Sequence, residues 1–102
     1  MNIDNLRAMI NQGHDSLILR FGLAQALLKQ GEPEEAIEHL LAALQFEPEY
    51  SAAFKLLGKA YAGTQQNELA IETYEKGIQI AEAKGDIQAA KEMKVFLKRL
   101  LK

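Results

Sequence analysis

Cysteine is absent from the 102 residues, which excludes disulfides, thiolate metal sites and any cysteine nucleophile. Proline occurs twice and glycine seven times, too few for a long flexible linker. No apolar run approaches the roughly 18 residues of a membrane span. The N-terminus MNIDNLRAMI has no basic stretch followed by an apolar signal core, so the sequence reads as cytoplasmic, with no membrane partner.

Catalytic groupings are equally scarce. His14 falls in a predicted loop and His39 on a predicted outer helix face, neither with a second histidine at i+3 or i+4, so no metal site is expected. Ser16 and Ser51 lie outside any G-x-S-x-G context and read as helix-start residues. No strand with a glycine-rich turn is present to cradle a nucleotide. The sequence therefore predicts neither an enzyme nor a cofactor.

What is present describes one ordinary globular domain, 48% hydrophobic with a formal net charge of -2. The charge is uneven. Residues 1–51 carry Asp4, Asp15, Glu32, Glu34, Glu35, Glu38, Glu47 and Glu49 against Arg7, Arg20 and Lys29, whereas the last predicted helix carries mostly lysine.

The stretch Phe54-Lys55-Leu56-Leu57-Gly58-Lys59-Ala60-Tyr61 organises the rest. On a helix, Phe54, Leu57 and Tyr61 share one face, and Gly58 between them lets a neighbouring helix approach closely. Thirty-four residues earlier the pattern recurs: Leu23, Ala24, Ala26 and Leu27 overlie Leu57, Gly58, Ala60 and Tyr61. Downstream, Glu34-x-Ala36-Ile37-Glu38 overlies Glu68-x-Ala70-Ile71-Glu72, with Leu40 over Tyr74 and Leu44 over Ile78. A period of this length holding two helices is the mark of a stacked helical repeat.

On Phe54, Leu57, Gly58, Tyr61, Ala70 and Tyr74, and on Leu23, Ala24, Leu27, Ala36, Leu40, Ala43 and Pro48, the chain resembles the tetratricopeptide repeat (TPR) family. The match covers residues 17 to about 84. It departs from the family pattern at Arg20, which stands where the first large residue belongs, and at Gly77 and Glu82, which replace a small alanine and the closing proline. The fold expected is an all-α, right-handed helical-repeat solenoid: a half-repeat cap helix at 3–12, repeat 1 at 16–49, repeat 2 at 50–84 and an amphipathic cap helix at 86–101. Asp15 or Ser16, Pro33, Asn67 and Asp86 are the expected helix-start residues, and Gly13, Gly31 and Gly85 the stops. Gln65 stands where the first unit has Gly31, which predicts a distorted turn. The two end helices supply the surface that two units alone would leave uncovered.

The resemblance implies protein binding in a groove lined by the first helix of each unit. In that register stand Ile18, Phe21, Gln25, Leu28 and Lys29, then Ala52, Lys55, Lys59 and Ala62. The apolar Ile18, Phe21 and Leu28 beside the basic Lys55 and Lys59 suit a peptide or helix carrying a large apolar side chain and a carboxylate. The alternative is that Phe21 and Leu28 simply pack against an end helix. TPR domains that clamp the C-terminal carboxylate of chaperones use lysine and asparagine residues where this chain has Phe21, Gln25 and Leu56, so that clamp is not intact.

Two further readings belong to other classes. Lys91, Lys94, Lys98 and Lys102 form a stripe on the last helix, opposite an apolar arc of Ala89, Ala90, Met93, Phe96, Leu97, Leu100 and Leu101. The stripe either keeps the terminal helix solvated or binds nucleic acid or another anionic surface. A pI of about 5.7 disfavours nucleic acid. Self-association through uncovered repeat faces or the last helix's apolar arc is the third reading.

Overall fold

A computed structural model describes residues 2–102, which form six helices and no strand: α1 (Ile3–Asn11), α2 (Leu17–Lys29), α3 (Pro33–Phe46), α4 (Ser51–Gly63), α5 (Asn67–Lys84) and α6 (Ile87–Leu100). Short turns join them, and each helix packs on the next. Side-chain oxygens start three of them. Asn2 accepts from the Asp4 and Asn5 amides, Ser16 from Leu19, and Asp86 from Ala89. Helix α3 opens instead with Pro33 in its first turn and Glu34 and Glu35 at the positive end of its dipole. Asn67 is not a cap. Gln66 precedes α5 with no side-chain bond to the helix, and Asn67 is already its first residue.

The core forms two clusters that meet at α4. Leu6, Leu23, Leu27, Leu40 and Leu57 anchor the first, and Phe54, Tyr74, Ile78 and Met93 anchor the second. The small residues lie where helices touch most closely. A Cβ on Gly58 would run into the Tyr74 ring, and one on Gly77 would come within 2.6 Å of Met93 Sδ and 2.7 Å of Phe54 Cβ. Gly77 is thus the contact point for both neighbours of α5, which accounts for glycine where the family pattern has alanine.

Arg20 has an equally local explanation. It stands thirty-four residues before Phe54, but its Nη1 lies 2.9 Å from His39 Nδ1, while Nε and Nη2 donate to Asp15 at 2.8 Å each. His39 Nε2 lies 3.3 Å from Glu35 Oε2. Glu35 in turn accepts two bonds from Arg7, at 2.8 and 2.6 Å. An Arg donor at Nδ1 makes that nitrogen the acceptor, so Nε2 carries the hydrogen and donates to Glu35. His39 is therefore not on an outer face: it is 6% exposed, at the centre of a polar chain joining α1, α2 and α3. Each buried polar atom of this chain has a partner.

The turn between α4 and α5 carries the one positive φ outside glycine among the described residues. Gln65 has φ 60°, against 78° at Gly31 in the corresponding turn. The same left-handed turn is built twice, once without the residue that favours it.

Candidate functional site

The first helices of the repeats lie side by side. Helix α2 touches α4 and α4 touches α6, whereas α3 and α5 do not meet. The stack is therefore closed on the first-helix side and splayed on the other, so α2, α4 and α6 line its inner face. Helix α6 belongs to this row. It opens at Ile87, thirty-six residues after Ser51 opens α4, against thirty-four between Leu17 and Ser51. In that register Ala89 follows Ala53 and Met93 follows Leu57, all four buried. Ser51 seals the step, its hydroxyl donating to Asp86 Oδ2 at 2.6 Å. That bond, with the Ala89 amide, holds the Asp86 carboxyl below the usual carboxylate range.

The inner face holds a cleft of about 370 Å³ lined by Gln25, Leu28, Lys29, Leu56 and Lys59. Two leucines form its apolar part, the lysines supply positive charge, and no carboxylate is among the lining residues. Of the nine residues that the family register offers, Gln25, Leu28, Lys29 and Lys59 come together here. The other five, Ala52 and Ala62 among them, do not line this cleft. Ile18 stands at the far end of α2, 77% exposed. Phe21 is half-buried, packed against the first core cluster and set edge-on to Tyr50 at 5.1 Å and 74°. Lys55 reaches across to α6, its Nζ 3.2 Å from Glu92 Oε1.

Helix α6 contributes residues that sequence reasoning did not assign to this face. Besides Glu92, Phe96 lies with its ring centroid 4.9 Å from Lys59 Nζ and 5.7 Å from the Arg99 guanidinium carbon. A signal for Glu92 was available in the spacing, since it follows the cleft residue Leu56 by thirty-six residues and not thirty-four; Phe96 follows the buried Ala60, so spacing does not mark it. The lysine stripe stands apart from the cleft. Lys91, Lys94, Lys98 and Lys102 are exposed, and among the described residues Lys94 alone of the four has a carboxylate partner, Glu82 at 2.7 Å.

Among the described residues, no group of three or more histidines, aspartates or glutamates could hold a metal ion, and no helix is long and apolar enough to cross a membrane.

A family profile described as TPR repeat matches residues 24–65, and a second, described as tetratricopeptide repeat, matches 53–84. A TPR repeat-containing protein of Pseudomonas aeruginosa is 43% identical over 98% of this chain and 95% of its own length. The chain belongs to the tetratricopeptide repeat family. Its TPR fold superimposes on the solution structure of a Bordetella parapertussis protein with a TM-score of 0.87 at 40% identity, covering 99% of this chain and 88% of the other. The second TPR domain of human RPAP3, solved with the HSP70 peptide SGPTIEEVD, shares the fold at TM-score 0.73 and 22% identity, covering 97% of this chain and 91% of that one.

Proposed function

We propose that this TPR protein is a non-catalytic adaptor that binds a peptide or helix of another protein on its inner face. Members of the family are generally protein-interaction modules, and the RPAP3 domain of the same fold carries a bound peptide. The observation that carries the reading is the cleft itself: Leu28 and Leu56 beside Lys29 and Lys59, with no carboxylate in the lining. An apolar side chain of the partner would bury against the leucines, and a neighbouring carboxylate would meet the lysine ammonium groups. Lys55, engaged by Glu92, is a secondary contact. Phe21, Gln25 and Leu56 leave the chaperone-type carboxylate clamp incomplete, so a chaperone tail is not the ligand proposed.

The test uses tagged protein and a lysate of its source, with and without nuclease. A discrete partner should survive nuclease and be lost with Lys29→Glu/Lys59→Glu, while helical circular dichroism is unchanged. Undiminished capture by that variant would remove the cleft from consideration. The competing reading, an anionic surface bound by α6, is favoured by Lys91, Lys98 and Lys102 having no carboxylate partner among the described residues. It requires a captured species that is lost on nuclease treatment and falls steeply with salt.

A further inference from the structure

The outer side of the stack has two grooves, one between α1 and α3 and one between α3 and α5, built from the same repeat positions but finished differently. Between α1 and α3 a hollow of about 200 Å³ is lined by Arg7, Ile10, Asn11, Glu35, Glu38 and His39. Thirty-four residues on stand Leu41, Leu44, Gln45, Leu69, Glu72 and Thr73. All of these but Glu72 line a groove of about 400 Å³ between α3 and α5, floored by Leu57 and Tyr61 of α4. The first hollow is bridged: Arg7 bonds twice to Glu35 across it and once to Asp4 on its own helix. The second is open. In the places of Arg7 and Glu35 stand Leu41 and Leu69, 45% and 41% exposed, and α3 does not touch α5. Two bared leucines on opposite walls of a groove this size make an apolar site for a large side chain.

The acids of the first hollow recur where its arginine does not. Glu38 stands three residues before Leu41 as Asp4 stands before Arg7, which it meets at 3.0 Å. Glu72 takes the position that Glu38 holds in the lining of the first hollow. Neither Glu38 nor Glu72 makes an ion pair among the described residues. Lys76, the one cation in the lining, is two turns along α5 from Leu69, its Nζ 5.9 Å from the Phe54 ring centroid. The leucine end of the groove is therefore acidic at its rim.

We propose that this outer groove binds a segment of another protein that presents a large apolar side chain with arginine or lysine beside it. The apolar side chain buries against Leu41, Leu44 and Leu69, and the basic group meets Glu38 and Glu72 as Arg7 meets Asp4 and Glu35 one unit earlier. An acidic segment is repelled by the same rim. The inner-face cleft and the outer groove thus select ligands of opposite charge. They share no lining residue and lie on different faces of α4, so either can fail without the other.

The experiment is an NMR titration of the isotope-labelled full chain with a short capped peptide that has leucine at its centre and arginine on both sides. A matched peptide with glutamate in place of arginine is the control. The basic peptide should shift Leu41, Leu69 and Thr73, and it should bind at least roughly tenfold tighter than the control, the difference expected when attractive pairs become repulsive. Glu38→Gln/Glu72→Gln should remove that preference. Leu41→Arg/Leu69→Glu, which copies the bridge of the first hollow, should abolish binding of the basic peptide and leave helical circular dichroism unchanged. Equal binding of the two peptides would overturn the proposal, as would shifts confined to Leu28 and Leu56 or undiminished binding by the bridged variant. A second copy of the chain would displace the proposed occupant if sedimentation gave a dimer mass that reverted to monomer in that variant.

Discussion

At the scale of single residues, departures from the family pattern mark local solutions. Arg20 occupies the position where the second unit has Phe54, and its charge is met by Asp15 and His39. The sequence shows the departure but not its partners, because Asp15 precedes the helix and His39 lies nineteen residues downstream. The guanidinium holds the Asp15 carboxyl below the usual carboxylate range. Gln65 is the opposite case: the periodicity exposed it directly, since Gly31 stands at the same place one unit earlier. A left-handed backbone costs an ordinary residue about 1–2 kcal/mol, part of which glycine offsets by adding freedom to the unfolded chain. Gln65→Gly should therefore raise stability by roughly 0.5–1 kcal/mol, read as a higher urea midpoint with an unchanged slope. A lower midpoint would mean that Gln65 makes contacts worth more than its strain.

At the scale of elements, the six helices were legible because each repeats an apolar period between recognisable stops. The role of α6 was not. Its start is shifted by two residues relative to the repeat, so Glu92 fell out of register with Leu56, and Phe96 had no inner-face counterpart because Ala60 is buried. Helix α1 shows how an end element is held. It buries one residue, Leu6, and its Arg7 makes the bidentate bond to Glu35. Arg7 and His39 together hold the Glu35 carboxyl below its ordinary range, with the Arg7 hydrogen bonds the larger influence. A carboxyl whose folded pKa is depressed contributes stability above its unfolded pKa and loses it as pH falls through the folded value. Amide exchange in α1 should accordingly quicken relative to α4 as pH drops below the ordinary carboxylate range. Glu35→Gln should remove most of that difference by loosening α1 already at neutral pH. Equal acid response of α1 and α4 in the native protein would contradict the anchoring role.

At the scale of the molecule, α4 is the shared wall of both core clusters, giving Ala53, Leu57 and Ala60 to one and Phe54 to the other. Contacts made only between neighbours would let a helical stack unravel from its ends, but a wall common to both clusters couples them. Leu57→Ala should cost about 2–5 kcal/mol and still unfold all six helices in one transition, with helical dichroism and the exchange of buried amides in both clusters sharing a midpoint. Two separated transitions would show that the clusters fold independently. The sequence analysis assigned the two end helices to cover surface that two repeats alone would leave bare, and that cover is what such coupling requires. It could not predict that the inner face is lined by three helices, because that depends on how α6 leans on α4.

The polar chain through His39 also bears on how such a molecule could be rebuilt. Exchanging the first helices of the two units would set a phenylalanine beside His39 and an arginine against Gly77 and Met93. Each chimaera would strand a charged or polar group that the native arrangement satisfies. The two repeats share an outline but are not interchangeable parts, and any recombination at this locus must carry Arg20, His39 and Asp15 as a single inherited block.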